Sequence, residues 1–120
     1  MSEITKVRFV LAVPDLKRST DYYTSTLGFA IDFEAPGWSF LSRGAFRVML
    51  GECSDAMPPA ELGDHSYYGY ITVEDVAALY DEYQRSGAQF TQLLADQPWG
   101  MREFGIRTID GHRLMFGQEL

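Results

Sequence analysis

Few side chains in this sequence are spaced for covalent chemistry. The two histidines, His65 and His112, lie far apart and outside any motif, so they read as surface or turn residues rather than general bases. Cys53 is the only cysteine and has no flanking motif; it reads as a half-buried structural thiol that forms no internal disulfide, which fits a reducing compartment. Arg102 and Glu103 are adjacent and read as a structural ion pair, with each other or across an interface. No nucleophile–base pairing, phosphate-cradling glycine loop or dinucleotide fingerprint is present. The other groups of interest are Arg8, Arg47 and Arg113, Met49 and Met115, Tyr68 and Tyr70, and the two tryptophans, Trp38 and Trp99.

Strand periodicity sorts these groups onto one side. Four segments alternate with a period of two, centred on residues 7–13, 46–51, 67–73 and 112–117. One face carries Val7, Phe9, Leu11 and Val13; Phe46, Val48 and Leu50; Gly69, Ile71 and Val73; Leu114 and Phe116. That apolar set is expected to pack under helices. The opposite face carries Arg8, Val10 and Ala12; Arg47, Met49 and Gly51; Tyr68, Tyr70 and Thr72; Arg113, Met115 and Gly117. Alternation alone allows this mixed face to be either a solvated sheet surface or the wall of a ligand cleft. Phe33 and Phe40 read as core.

The elements that must position these residues occur twice. Val7–Val13 is followed by Pro14-Asp15-Leu16, where Asp15 suits a helix N-cap, and by Leu16, Tyr23 and Leu27 as an apolar stripe ending at Gly28. Tyr67–Val73 is followed in the same way by Glu74-Asp75-Val76, a stripe of Val76, Leu79, Tyr80 and Tyr83, and Gly87. Each helix leads to further strands with a hairpin signal, Arg43-Gly44 in the first half and the stronger Asp110-Gly111 in the second. Each half therefore reads β-α-β-β-β. The expected organisation is a single domain over 1–120, made of modules at about 5–53 and 66–118 with a connector at 54–65.

The bulk composition excludes several classes. With 120 residues, 46% apolar and 22% charged, the chain suits one compact globular domain. Its apolar runs are too short for a membrane span, and the start, Met-Ser-Glu-Ile-Thr-Lys, predicts no secretory signal. Ten basic against seventeen acidic residues give a net charge of −7, which disfavours nucleic acid and weakly favours a cationic ligand.

The Val13-Pro14-Asp15-Leu16 opening, the Leu27-Gly28-Phe29 helix exit, the run Pro98-Trp99-Gly100-Met101-Arg102-Glu103-Phe104 and the turn Asp110-Gly111-His112 together resemble the glyoxalase/bleomycin-resistance (vicinal oxygen chelate) superfamily, over roughly residues 5–118. The resemblance implies an α+β fold of tandem βαβββ modules forming a curved mixed-sheet cleft, and a homodimer that covers open sheet edges. In the metal enzymes of this superfamily four ligands line the cleft; the matching positions here are Arg8, Met49, Tyr68 and Met115. Arginine offers only donors and thioether sulfur is a soft ligand, so no metal and no cofactor are expected. In the bleomycin-resistance branch, aromatic groups near Trp38 and Trp99 stack on flat drug rings. Trp38 is read as such a residue, while for Trp99 a ligand role and a cover over the core stand level.

With the resemblance, the cleft becomes the better reading of the mixed face. The ligand-binding set is Arg8, Trp38, Arg47, Met49, Tyr68, Tyr70, Trp99, Arg113 and Met115. The expected function is metal-independent binding of a small molecule, such as an antibiotic or other aromatic cytotoxic compound, by a cytoplasmic homodimer with no nucleic-acid or membrane partner. The arginines blur the match to a cationic drug and suit a carboxylate, phosphate or phenolate. The alternative is a metal-free enzyme in which Tyr68 or Tyr70 is an acid and an arginine stabilises an oxyanion.

Overall fold

A computed structural model describes residues 2–120. In chain order the elements are β1 (Phe9–Val13), α1 (Leu16–Ser25), β2 (Ala30–Ala35), β3 (Trp38–Arg43), β4 (Phe46–Glu52), β5 (Tyr67–Thr72), α2 (Val76–Arg85), β6 (Gln89–Asp96), β7 (Met101–Arg107) and β8 (Arg113–Glu119), with a short 3-10 turn at Pro59–Leu62. The contacts divide the chain into two compact units, Met1–Ala56 and Met57–Leu120. Each unit is a βαβββ module with its own four-stranded sheet, ordered β1-β4-β3-β2 in the first and β5-β8-β7-β6 in the second. In both sheets the opening strand pairs in parallel with the last strand and the other pairs are antiparallel. The fold is the α+β arrangement that the repeat predicts.

Both helices begin where the sequence places an aspartate. Asp15 accepts the amide of Arg18 and Asp75 accepts that of Ala78, each at 3.1 Å, three residues on from the cap. A second side chain caps each helix from the end of the central strand: the Leu16 amide donates to Glu52 and the Val76 amide to Gln118, both at 3.0 Å. The exit of α2 is a Schellman turn, with Gly87 at φ 85° and the Ala88 amide returning to the Tyr83 carbonyl.

In the first unit α1 packs on β3 and β4 over Leu11, Val13, Leu41, Val48 and Leu50. Tyr23, Phe29 and Phe46 form an edge-to-face chain with centroids 5.2 and 5.0 Å apart. Ser19 and Thr20 are also buried, and the Thr20 hydroxyl donates to the Ser39 hydroxyl at 2.9 Å, a polar helix–sheet contact that no apolar stripe announces. Val7, expected in the first core stripe, is 57% exposed, because the β1–β4 ladder starts only at Phe9 and Val48. In the second unit α2 packs on β7 and β8. There Tyr83, Phe104 and Phe116 are almost wholly buried, and the two phenylalanine rings stack at 5.2 Å.

The two caps carry a direct prediction. Asp15→Ala and Asp75→Ala are each expected to lower stability by about 1 kcal/mol in urea unfolding, with the m-value unchanged. An unshifted midpoint in either variant would remove that capping assignment.

Candidate functional site

The open face of the first unit, opposite α1, follows from strand register. Val10 stands beside Met49 and Ala12 beside Gly51; Phe40 faces Met49, Trp38 faces Gly51, and Ser42 faces Arg47. The ladder to β2 adds Phe33 opposite Phe40 and Ala35 opposite Trp38. Phe33 and Phe40 were expected in the core. Instead Phe33 is 60% exposed and Phe40 half-buried, because both share the side of the sheet that carries Trp38 rather than the helix side.

Trp38 packs closely over Gly51. A Cβ built on Gly51 would sit 2.8 Å from two indole ring carbons, so only glycine lets the ring settle there. The guanidinium carbon of Arg8 lies 5.3 Å from the centre of the Phe40 ring, within cation–π range. Arg8, Met49 and Trp38 therefore surround one aromatic patch. Trp38 also walls two hollows. One, of about 160 Å³, is apolar and lies against Val10, Ala12 and Cys53. The other, of about 490 Å³, lies toward the start of α1, where Asp21, Glu34 and Glu52 make it acidic. Cys53 is half-buried and its thiol donates to Asp55 at 3.2 Å.

The second unit builds its open face differently. Tyr70 pairs with Met115 and Thr72 with Gly117, while Glu103 faces Gly117, Gly105 faces Met115 and Arg107 faces Arg113. The Tyr70 hydroxyl donates to Glu103 at 2.7 Å, and Glu103 is only 4% exposed. Desolvation, then the hydrogen bond to the carboxylate, pushes the Tyr70 phenol up to about 12. The phenol crosses Gly117 so closely that any Cβ there would overlap it. Met115 is buried, with its sulfur over Gly105.

The structure adds detail to several expected placements here. Tyr68 is expected on the face of Tyr70; β5 bulges between Tyr67 and Gly69, so Tyr67 stands in line with Arg113 and Tyr68 is the residue the bulge inserts. Its ring meets that of His112 edge-on at 5.8 Å. Arg102 and Glu103 do not pair with each other, because neighbours on a strand point to opposite faces. Arg102 forks onto Asp96 at 2.6 and 3.2 Å, and Glu103 goes to Tyr70. His112 is not a free surface imidazole either: its Nδ1 is buried and makes no hydrogen bond among the described residues. Trp99 sits on the turn between β6 and β7, held by Gln97 and Gly100 backbone hydrogen bonds, and is 66% exposed. It covers no core of its unit.

The four positions that resemble a metal quartet do not fit a divalent ion. Arg8 is cationic and lies over an aromatic ring, Met49 and Met115 offer only thioether sulfur, and Tyr68 leans on a histidine ring. Among the described residues no three His, Cys, Asp or Glu side chains cluster in a way that could hold a metal.

These features define a two-module α+β protein with an aromatic, arginine-bearing sheet face, and comparison with known proteins gives the family. The chain belongs to the Glyoxalase/Bleomycin resistance protein/Dioxygenase superfamily, whose family model matches residues 6–116. It is 28% identical to a bleomycin resistance protein from Geobacillus stearothermophilus, over 92% of this chain and 93% of that one. Among solved structures it is similar to a bleomycin-binding protein from bleomycin-producing Streptomyces verticillus, complexed with copper(II)-bleomycin (TM-score 0.75, 24% identity, 97% of both chains). It also resembles TnmS3, an antibiotic-binding protein from a Streptomyces species (TM-score 0.80, 22% identity, 100% of this chain and 99% of that one).

The buried imidazole predicts a pH response. Burial pushes His112 below its ordinary value of 6.5, with the Asp110 carboxylate opposing. The unfolded chain then binds this proton more readily than the folded one, so stability is intact above pH 6.5 and falls as pH drops through the depressed folded value. His112→Phe is expected to flatten the loss of thermal midpoint between about pH 7 and pH 5. A slope identical to that of the parent protein would show that other groups cause it.

Proposed function

We propose that this chain is a small-molecule binding protein of the bleomycin-resistance type, sequestering an aromatic cytotoxic compound such as an antibiotic without transforming it. The observation that carries this reading is the open face of the first unit, where the Trp38 ring packs closely over Gly51 beside Phe40, Met49 and Arg8. A planar indole with soft sulfur next to it suits a flat ring, and stacking adds about 0.5–1.5 kcal/mol beyond buried area. The relatives named for bleomycin resistance, bleomycin binding and antibiotic binding support the same class. To the ligand we assign Arg8, Trp38, Arg47 and Met49 of the first unit, and Tyr68, Tyr70, Trp99, Arg113 and Met115 of the second.

The binding requires no resident metal or cofactor, in keeping with the donor set. We also propose a cytoplasmic homodimer as the working form, since each unit ends in open strand edges that a second copy would cover. Nucleic acid is a poor partner for a chain of net charge −7. No helix among the described residues is long and apolar enough to cross a membrane. An enzymatic reading with Tyr70 as acid is weaker, because its hydroxyl already donates to the buried Glu103 carboxylate and a phenol raised to about 12 is a poor proton donor at neutral pH.

Intrinsic fluorescence and thermal shift, with bleomycin and a panel of aromatic antibiotics, test the reading. A ligand is expected to quench Trp38, raise the melting temperature and be recovered unchanged. Trp38→Ala should weaken binding about ten-fold, roughly 1.4 kcal/mol. Gly51→Ala, which tilts the indole, should weaken it without unfolding the chain. Turnover of the compound, or affinity indifferent to both substitutions, would overturn the proposal, and stoichiometric metal in the purified protein would overturn its metal-free part.

A further inference from the structure

One rung of the second sheet carries two arginines side by side. Arg107 of β7 stands directly opposite Arg113 of β8, and Tyr67 of β5 pairs with Arg113 from the other side. Directly opposed residues share a face, and like charges so placed repel each other. Among the described residues the only carboxylate paired with either arginine is Asp64, 3.3 Å from Arg113, and the Asp64 side chain is almost fully exposed.

The donors around this rung are unmet. Arg113 is only 7% exposed, yet its Nε makes no hydrogen bond, and the buried Nε of Arg107 and hydroxyl of Thr91 make none either. Thr91 lies on the same face, since a Cβ built on Gly105, opposite Met115, would come within 2.6 Å of its hydroxyl oxygen. Buried donors of this kind carry a desolvation penalty until an acceptor arrives.

The first unit treats the equivalent rung in the opposite way. Arg47 there faces Ser42, whose hydroxyl donates to Asp32 at the β2 bulge, so a carboxylate is built in. In the second unit the corresponding bulge carries Thr91 and the rung carries a second arginine. The repeat has exchanged an acid and a serine for a threonine and an arginine, and with them lost the built-in carboxylate.

We propose that Arg107 and Arg113 form an anion subsite on the open face of the second unit, taking a carboxylate or phosphate group of the ligand with the Thr91 hydroxyl as a further donor. Guanidinium forks match the oxygens of both groups bidentately. Asp64 is then an internal carboxylate that the incoming anion displaces from Arg113. The subsite rests on the small-molecule reading above for its ligand being organic, but its anion chemistry is testable without that ligand.

The full chain is titrated at low ionic strength with inorganic phosphate and, separately, with benzoate, against chloride at matched ionic strength. Thermal midpoint and amide chemical shifts are the readouts. Either anion or both should bind saturably and raise the midpoint, and the arm that responds more strongly names the group the subsite prefers. Arg107→Gln should weaken binding about ten-fold, and Asp64→Asn should tighten it by freeing Arg113. No saturable response beyond chloride, or affinities unchanged in both variants, overturns the subsite. Should Arg107→Gln fail to fold, Asp64→Asn decides, and absence of tightening overturns it. Anion binding that persists where Trp38-dependent drug binding fails would sink the function proposed above and leave the subsite standing; the reverse pattern sinks the subsite alone.

Discussion

Each helix of this protein is tied to its sheet by one hydrogen bond from its first amide to the side chain that ends the central strand. Leu16 donates to Glu52 and Val76 to Gln118. Glu52 and Gln118 continue the alternation of Val48 and Leu50, and of Leu114 and Phe116, so the cap is the polar end of the core-facing stripe. A slip of one residue in β4 or β8 would lose the cap and turn Leu50 or Phe116 to the open face at the same step. Helix docking and the identity of the open face are therefore one decision. In the first unit the cap is also charged, which suits the positive end of a helix.

Because that decision is shared, both open faces start from the same pattern, Arg47, Met49 and Gly51 in one unit and Arg113, Met115 and Gly117 in the other. The glycines are where the units diverge. Gly51 admits the flat Trp38 ring, whereas Gly117 admits the Tyr70 phenol on its way to Glu103. A methyl group at either position would lift the aromatic ring off the sheet. The first face is left with an aromatic patch and a cation over a ring, and the second with a tied phenol and a pair of arginines.

The repeat, the aspartate caps, the hairpins and the core stripes were legible because each rests on local spacing. Register slips were not. A bulge inserts a residue without a compositional mark, so nothing in Tyr67-Tyr68-Gly69-Tyr70 tells that Tyr67 comes into line with Arg113. Phe33 and Phe40 were misjudged by residue type, although Phe40 lies two residues from Trp38 and so shares its face; parity would have found it. The same rule separates Arg102 from Glu103. Arg107 passed unnoticed because a lone arginine before a hairpin is ordinary, and only pairing across the turn sets it against Arg113.

The chemistry left on these faces suits the binding role proposed above. A general acid needs a proton poised near neutral pH, and a general base needs a free lone pair in reach of substrate. On the second face the Tyr70 hydroxyl donates to the buried Glu103, and desolvation together with that hydrogen bond raises the phenol out of the useful range. The metal that serves other members of the superfamily would have to be held by a guanidinium, two thioethers and a phenol. What the scaffold keeps are groups that act without changing protonation: an indole plane, sulfur, and guanidinium forks with unmet donors. Such groups can hold an aromatic or anionic molecule without exchanging a proton with it, as the proposed binding role requires.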